Sequence, residues 1–155
     1  MTQTKIAIII GTTREGRFGD KPAQWFFDIA QSRGTAHYEL IDLRDYPLPF
    51  FNEPTSPVYA PPQDETAQRL AAKVREFDGY VFVTGEYNHS APAVLKNALD
   101  HVYAPFNRKA VAFVGYGGVG AARAVEHLRG VVIELQAAPI RSAVHIGMAE
   151  FVGVL

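Results

Sequence analysis

The sequence contains no cysteine, no excess of either charge and no long apolar run. The absence of cysteine among its 155 residues excludes a disulfide framework, a thiolate nucleophile and a cysteine-ligated metal, and it indicates a cytoplasmic location. Because 15 basic and 16 acidic residues nearly cancel, we expect no broad basic face for nucleic acid. The apolar segment Lys5–Ile10 is far shorter than the roughly 20 residues that span a membrane. We therefore expect neither a nucleic-acid partner nor a membrane partner.

Five apolar runs rich in β-branched residues punctuate the chain, and most are continuous rather than alternating. Continuous apolar runs are typical of parallel strands that are covered on both faces of a sheet. The predicted strands are Lys5–Ile10, His37–Leu43, Tyr80–Thr84, Lys109–Gly115 and Ile140–Ile146.

Segments of helical period lie between these runs. Asp20 is predicted to cap a first helix that has Pro22 in its first turn. A second helix is predicted over Gln63–Phe77, a third begins near Ser90–Pro92, and a fourth covers about Ala121–Gln136. This alternation predicts one doubly wound α/β domain over residues 1–155, with five parallel strands in the flavodoxin-like order 2-1-3-4-5. Only nine residues follow the fifth predicted strand, so no final helix is expected there.

One segment, Asp45–Pro62, breaks the alternation. It holds six of the ten prolines together with several aromatic residues, and proline forbids a regular helix. A connection of this length is usually functional or mobile. Two interpretations stay open: a surface loop wrapped by its own aromatic side chains, or a lid or partner surface.

The loop after the first predicted strand has the features of a phosphate site. Gly11–Asp20 is rich in glycine and hydroxyl groups and leads into a helix amino terminus, where unpaired N–H groups and the helix dipole favour an anion. Arg14 and Arg17 offer forked hydrogen bonds to phosphate oxygens. The spacing resembles a Walker A loop, but Arg17 replaces its lysine and Phe18 its hydroxyl residue, which disfavours nucleotide triphosphate hydrolysis. The alternative is an ordinary turn with exposed arginines.

Two further loops lie where ligands bind in such sheets, beyond the carboxyl ends of the strands. Gly115–Gly120 matches G-x-G-x-x-G, but no acidic residue ends the following strand to bind a ribose. Its glycines would admit a flat ligand close to the backbone, or serve packing alone. Thr84–Pro92 combines glycine, amide, hydroxyl and tyrosine groups, which suits the edge and face of a planar heterocycle.

Three motifs in order resemble the NADPH-dependent FMN reductase family, which includes quinone, chromate and azo-dye reductases. Gly85–Ser90, followed by Leu95–Asp100, resembles its P-E-Y-N signature and the helix after it. Gly11–Arg14 resembles its G-S-x-R phosphate loop, and Tyr116–Gly118 its third flavin loop. The resemblance implies a flavodoxin-like fold that binds FMN without a covalent bond, with homodimers or homotetramers common. Gly85 stands where the signature has proline, so a looser turn and weaker flavin binding are expected.

The resemblance also implies which residues bind FMN. The phosphate would be held by Thr12, Arg14, Arg17, Phe18 and Gly19. The isoalloxazine would be held by Gly85, Glu86, Tyr87 and Asn88, with Ser90 nearby, and its pyrimidine edge would be closed by Tyr116, Gly117 and Gly118. No side chain is needed as a general base, so no catalytic residue is assigned. The five histidines show no metal-ligand spacing, so no metal is expected.

The function that follows is an FMN-dependent NAD(P)H oxidoreductase. NADPH or NADH would supply a hydride, and a quinone, free flavin, azo dye or similar small acceptor would take the electrons. Two alternatives stay open: a flavodoxin-like module that shuttles electrons to protein partners, and a binding protein that has lost its flavin.

Overall fold

The chain forms a parallel sheet with helices on both faces. The computed structural model describes the backbone of residues 3–153 and the side chains of residues 3–150. The strands are β1 (Lys5–Ile10), β2 (His37–Asp42), β3 (Gly79–Thr84), β4 (Ala110–Tyr116), β5 (Ala138–Pro139) and β6 (Val144–Ile146). Their order is β2-β1-β3-β4-β5, β6 also pairs with β4, and all pairs are parallel. The predicted doubly wound, flavodoxin-like architecture is confirmed.

Within residues 3–153, five α-helices connect and follow the strands, together with two short 3-10 helices at Leu43–Asp45 and Ala104–Phe106. The α-helices are α1 (Asp20–Ser32), α2 (Glu65–Arg75), α3 (Ala93–His101), α4 (Ala122–Glu134) and α5 (Met148–Gly153). Asp64 caps α2 by accepting a hydrogen bond from the N–H of Ala67 at 2.8 Å. Asp20 does not cap α1 as predicted, because Gly19 occupies the cap position. The short helix α5 lies where the sequence predicts no helix.

The prediction of one continuous fifth strand over Ile140–Ile146 is wrong. The strand β5 ends at Pro139, just before the predicted segment, and pairs with the start of β4. Within the predicted segment only β6 is a strand, and its Val144 rejoins the ladder opposite Val114. Between β5 and β6, the Arg129 guanidinium donates to the carbonyl oxygens of Ile140 at 2.6 Å and of Arg141 at 2.9 Å. These backbone acceptors receive hydrogen bonds from a side chain of α4 and not from a neighbouring strand, so the chain leaves the ladder there with both carbonyl groups paired.

The core consists of two apolar clusters, one on each face of the sheet. Ala7 and Ile9 of β1 join the larger cluster with α2, α3 and α4, whereas Ile8 and Ile10 join a smaller cluster with α1. Alternate residues of a strand point to opposite faces, and both sets are at most 5% exposed. The continuous apolar run of β1 is therefore required by burial on both sides, which fixes the loop after β1 at the carboxyl edge of the sheet.

The first part of the proline-rich segment is hydrogen-bonded to α3. Asn97 donates to the carbonyl oxygen of Pro49 at 2.7 Å and accepts from the N–H of Phe51 at 3.0 Å. His101 Nε2 lies 3.1 Å from the same carbonyl, so this nitrogen carries the proton and donates. Phe51 packs edge-on against the imidazole at 5.2 Å. This part is a fixed surface loop, and the aromatic side chains of Phe50 and Tyr59 remain exposed.

Candidate functional site

A cavity of about 370 Å³ lies where the loops after β1, β3 and β4 meet. It is lined by Arg14, Gly16, Arg17, Phe18, Lys21, Gly85, Glu86, Tyr87, Tyr116 and Gly117. Three loops that are far apart in the chain thus form one site, as expected for the switch point of such a sheet.

Eight of the thirteen predicted site residues line this cavity. Thr12 and Gly19 lie behind Tyr116 and contact it. The remaining three predicted residues belong to the same loops but do not line the cavity: Asn88, Ser90 and Gly118. Gly16 and Lys21 line the cavity without having been predicted. The signal for Gly16 is present in the sequence, since it is the second glycine of the Walker-like spacing.

The β1 loop presents its backbone N–H groups at the start of α1. The Arg17 N–H donates to the Arg14 carbonyl at 3.1 Å and closes a turn in which Gly16 has φ +62°, a conformation that favours glycine. Within residues 3–153, no acceptor takes the N–H groups of Thr13, Arg14, Glu15, Gly16 and Gly19. The Arg14 side chain is exposed and makes no hydrogen bond or ion pair with the described residues. This loop can therefore bind an anion.

Arg17 lies in the same loop but is engaged within the protein. Its side chain is 1% exposed. Its guanidinium donates to the Thr12 carbonyl, to Asp20, and to both oxygens of Asp42 at 2.7 and 2.6 Å. These contacts use all five N–H groups of the side chain. Arg17 therefore braces the β1 loop against α1 and the end of β2, and its predicted contact with a phosphate stays a prediction.

The Arg17 brace makes stability depend on pH in the acid range. Burial acts to raise the pKa of Asp42, but hydrogen bonds from Arg17 and Arg44 outweigh it and lower this pKa from 3.8 to about 2. A carboxyl whose pKa is lower in the folded state stabilises the fold above its unfolded pKa and loses that contribution as pH falls. We expect Asp42→Asn to destabilise the protein at pH 6, and the difference in urea midpoint from wild type to shrink between pH 4 and pH 2. A pH-independent difference would contradict this.

The loop after β3 is a tight turn held in an uncommon conformation. The N–H and carbonyl groups of Tyr87 and Ser90 are mutually hydrogen-bonded at 2.9 and 3.2 Å. Between them, Asn88 and His89 have φ +49° and +73°, the left-handed pair of a type I′ turn. Such backbone persists where the surrounding structure over-determines it, often at functional sites. The turn leaves Tyr87 41% exposed at the cavity.

The Glu86 carboxylate joins this turn to α4. It accepts from the backbone N–H groups of Arg123 at 3.1 Å and Ala124 at 3.3 Å, and it forms an ion pair with the Arg123 guanidinium. It thereby caps a helix whose own cap residue, Ala121, has no side-chain acceptor. Burial acts to raise the pKa of Glu86, but the bonds from Arg123 and Ala124 outweigh it and lower the pKa. The side chain is fully committed to the protein, which leaves the backbone of Glu86 to face a ligand.

The glycines of the β4 loop divide between packing and the cavity. A Cβ on Gly115 would lie 2.4 Å from the Gly120 carbonyl oxygen, and one on Gly120 would lie 2.9 Å from His145 Cβ. Gly117 has φ +126°, nothing within 4 Å of its added Cβ, and a place in the cavity wall. Gly115 and Gly120 therefore allow close backbone packing, whereas Gly117 leaves the cavity wall open, and the approach of a flat ligand there stays a prediction.

A second cavity, of about 440 Å³, lies elsewhere on the molecule. The proline-rich segment, α2 and the chain after α3 line it, and none of the predicted site residues takes part. Among residues 3–153, no three histidine or acidic side chains are grouped to hold a metal. Nor does any helix in that range have the length and apolar character needed to cross a membrane.

Comparison with known proteins agrees with this geometry. The family model of the NADPH-dependent FMN reductases matches residues 4–151. The chain belongs to this family. It is therefore an oxidoreductase of the NAD(P)H-dependent FMN reductase and quinone reductase type, with FMN and NAD(P)H as its cofactors.

Individual relatives in this family are similar over most of the chain. An NAD(P)H-dependent FMN reductase of Schizosaccharomyces pombe is 35% identical over 143 residues, which are 90% of this chain and 72% of the relative. A 2-hydroxy-1,4-benzoquinone reductase of a Burkholderia species is 34% identical over 134 residues, 82% of this chain and 69% of the relative. The structure of FerB, a flavoenzyme NAD(P)H:(acceptor) oxidoreductase from Paracoccus denitrificans, has a TM-score of 0.73 and 24% identity, over 90% of this chain and 78% of FerB. This last likeness confirms the fold.

Proposed function

We propose that the 370 Å³ cavity binds FMN and that the protein passes electrons from NAD(P)H to a small quinone-type acceptor. The observation that carries this proposal is the chemistry of the two ends of the cavity. One end has unpaired backbone N–H groups and Arg14, which suit a phosphate. The other has an exposed aromatic ring, Tyr87, beside glycine walls at Gly85 and Gly117, which suit a flat ring system.

At the phosphate end, the proposed ligands are the Arg14 guanidinium and the backbone N–H groups that have no acceptor within residues 3–153, which are those of Thr13, Arg14, Glu15, Gly16 and Gly19. Arg17 holds the Thr12 carbonyl, and so keeps this loop in position. Phe18 forms part of the wall, with its ring centroid 5.4 Å from that of Tyr116. Such a preformed loop loses little conformational freedom when an anion binds.

At the ring end, the proposed contacts are the backbone of Gly85 and Glu86, the Tyr87 ring and Asn88, with Gly117 and Gly118 on the opposite side. When bound, FMN supplies the hydride and electron transfer chemistry. The chain's own residues bind and orient it, and no side chain is assigned as a general acid or base. The support for a quinone as acceptor is the Burkholderia relative, whose name specifies a benzoquinone. A homodimeric or homotetrameric assembly and a cytoplasmic location stay predictions.

The test of the proposed function starts with the absorption spectrum of the purified protein before and after FMN is added and the excess removed. We expect a retained flavin spectrum, followed by oxidation of NADH or NADPH that depends on 2-hydroxy-1,4-benzoquinone, a simple quinone or an azo dye. A protein that binds FMN without oxidising either nicotinamide would instead be an electron-transfer module. A protein that leaves all added FMN free would be a binding protein without flavin.

A further inference from the structure

Tyr116 belongs to β4, but its hydroxyl group lies in the β1 loop. The residue is 7% exposed, and its hydroxyl oxygen is 3.3 Å from Thr12 Oγ1, a residue 104 positions earlier. A Cβ added to Gly19 would lie 2.7 Å from the Tyr116 oxygen and 2.8 Å from Thr12 Oγ1. Both hydroxyl groups therefore rest directly against Gly19, the residue that caps the amino terminus of α1.

The position of the ring is fixed from both sides. A Cβ on Gly85 would lie 3.3–3.5 Å from the outer edge of the Tyr116 ring and its hydroxyl oxygen, so the absence of a side chain at Gly85 leaves the ring its space. The Phe18 ring packs against it at 5.4 Å between centroids. A side chain packed in this way cannot swing its hydroxyl group towards the far end of the cavity without displacing these neighbours.

The two hydroxyl groups have more hydrogens than they use. Each of Tyr116 and Thr12 carries one O–H donor, and one hydrogen bond joins the pair, with either oxygen as the donor. Neither hydroxyl makes another hydrogen bond within residues 3–153, so one O–H group of the pair remains for an incoming acceptor. Burial raises the pKa of Tyr116, against a smaller opposite effect of the Thr12 bond, and the phenol therefore keeps its proton at neutral pH.

We propose that Tyr116 is a phosphate-end residue of the cofactor site, which with Thr12 donates a hydrogen bond to the FMN phosphate at the amino terminus of α1. The inference rests on the proposed function and assigns Tyr116 a different role from the pyrimidine-edge contact that the family resemblance implies. A single O–H donor aimed at this point favours a phosphorylated flavin over riboflavin, because riboflavin has no phosphate oxygen to accept the bond.

The test replaces Tyr116 with phenylalanine, which keeps the ring and its packing and removes only the hydroxyl group. Dissociation constants for FMN and for riboflavin are measured by quenching of flavin fluorescence, a readout that needs no turnover. We expect the FMN dissociation constant to rise about tenfold, the size of a lost hydrogen bond to a charged group. The riboflavin constant should change less than about twofold, since that ligand makes no use of the hydroxyl group.

The chain offers a matched control in Tyr38, whose hydroxyl also pairs with a threonine, Thr35 Oγ1, at 3.4 Å. Tyr38→Phe deletes the same group from the same kind of pair, outside the cavity, and should leave both constants unchanged. Thr12→Val should weaken FMN binding in the same direction as Tyr116→Phe. The double variant should lose less than the product of the two single losses, because the two hydroxyl groups act as one donor unit.

The outcomes separate this inference from the proposed function. If the wild-type protein binds neither flavin, the proposed function and this inference both fail. If wild type binds FMN and Tyr116→Phe loses both flavins equally, or loses neither, only the role of Tyr116 is overturned. Should the variant not fold, wild-type protein with ¹³Cζ-labelled tyrosine answers the same question. The Tyr116 signal should shift with FMN and with inorganic phosphate, and a shift with riboflavin alone would contradict the proposal.

Discussion

Arg17→Ala is expected to lower the free energy of unfolding by about 3 kcal/mol, because it leaves buried polar groups without their partner. The side chain is 1% exposed and pairs with Asp42, whose side chain is 21% exposed. The loss stays at the lower end of the range for broken buried pairs because Arg44 still contacts Asp42 at 2.7 Å. For a domain of this size, the melting temperature should fall by about 6–12 °C. Urea and thermal unfolding of the flavin-free protein measure the free energy of unfolding and the melting temperature.

The matched control for this prediction is Arg44→Ala. Arg44 contacts the same two carboxylates, Asp42 and Asp20, but its side chain is 48% exposed. An exposed ion pair contributes about 0–1 kcal/mol, so this variant should unfold close to wild type. The interpretation of Arg17 as a brace would be wrong if Arg17→Ala kept wild-type stability and lost FMN affinity while retaining riboflavin affinity. That result would support Arg17 as a direct phosphate ligand.

Arg14→Ala should weaken FMN binding and leave stability nearly unchanged, the reverse of the effects expected for Arg17→Ala. Arg14 is exposed, lines the cavity and makes no ion pair with the described residues, so its loss should change the unfolding free energy by less than about 0.5 kcal/mol. Removal of a charge-assisted, forked contact to phosphate should raise the FMN dissociation constant about tenfold to a hundredfold. Riboflavin binding should change less than about twofold. Fluorescence titration with both flavins, at two salt concentrations, measures these effects.

Salt and a second arginine provide the controls for Arg14. The FMN affinity of wild type should weaken as salt is raised, and that of Arg14→Ala should weaken less, because a solvent-accessible charge pair is screened. Arg33, at the other end of α1, is also exposed, and Arg33→Ala should leave both flavin constants unchanged. Equal losses of FMN and riboflavin in Arg14→Ala would contradict a phosphate contact and would point to a general change in the loop.

The contrast between these two arginines shows the limit of the sequence pattern. Arg14 and Arg17 lie three residues apart in one basic, glycine-rich loop, and local sequence gives both the same prediction. Their roles differ because Asp42, 25 positions from Arg17, ends the neighbouring strand β2 and places its carboxylate beside one guanidinium. The partner that decides the role is close only through the pairing of β1 with β2.

The strands also show that local sequence predicts some elements and not others. The apolar run of β1 predicts its observed bounds, since burial on both faces demands a continuous pattern. Ile140–Ile146 is also predicted as one strand, but a side chain of α4, Arg129, donates to two of its carbonyl oxygens. Apolar composition reports that a segment is buried or extended; it does not report which donor its backbone meets.

The sequence by itself therefore determined the alternation of strands and helices, the order of the sheet and the three loops at its carboxyl edge. These follow from periodicity, turn residues and burial, which are local properties. Only the tertiary structure decided that Arg17 is a brace, that Glu86 caps a helix 37 positions away, and that the Tyr116 hydroxyl lies beside Thr12. Such roles depend on which polar groups face one another across packed elements, and a buried donor or acceptor must find its partner there because water is excluded.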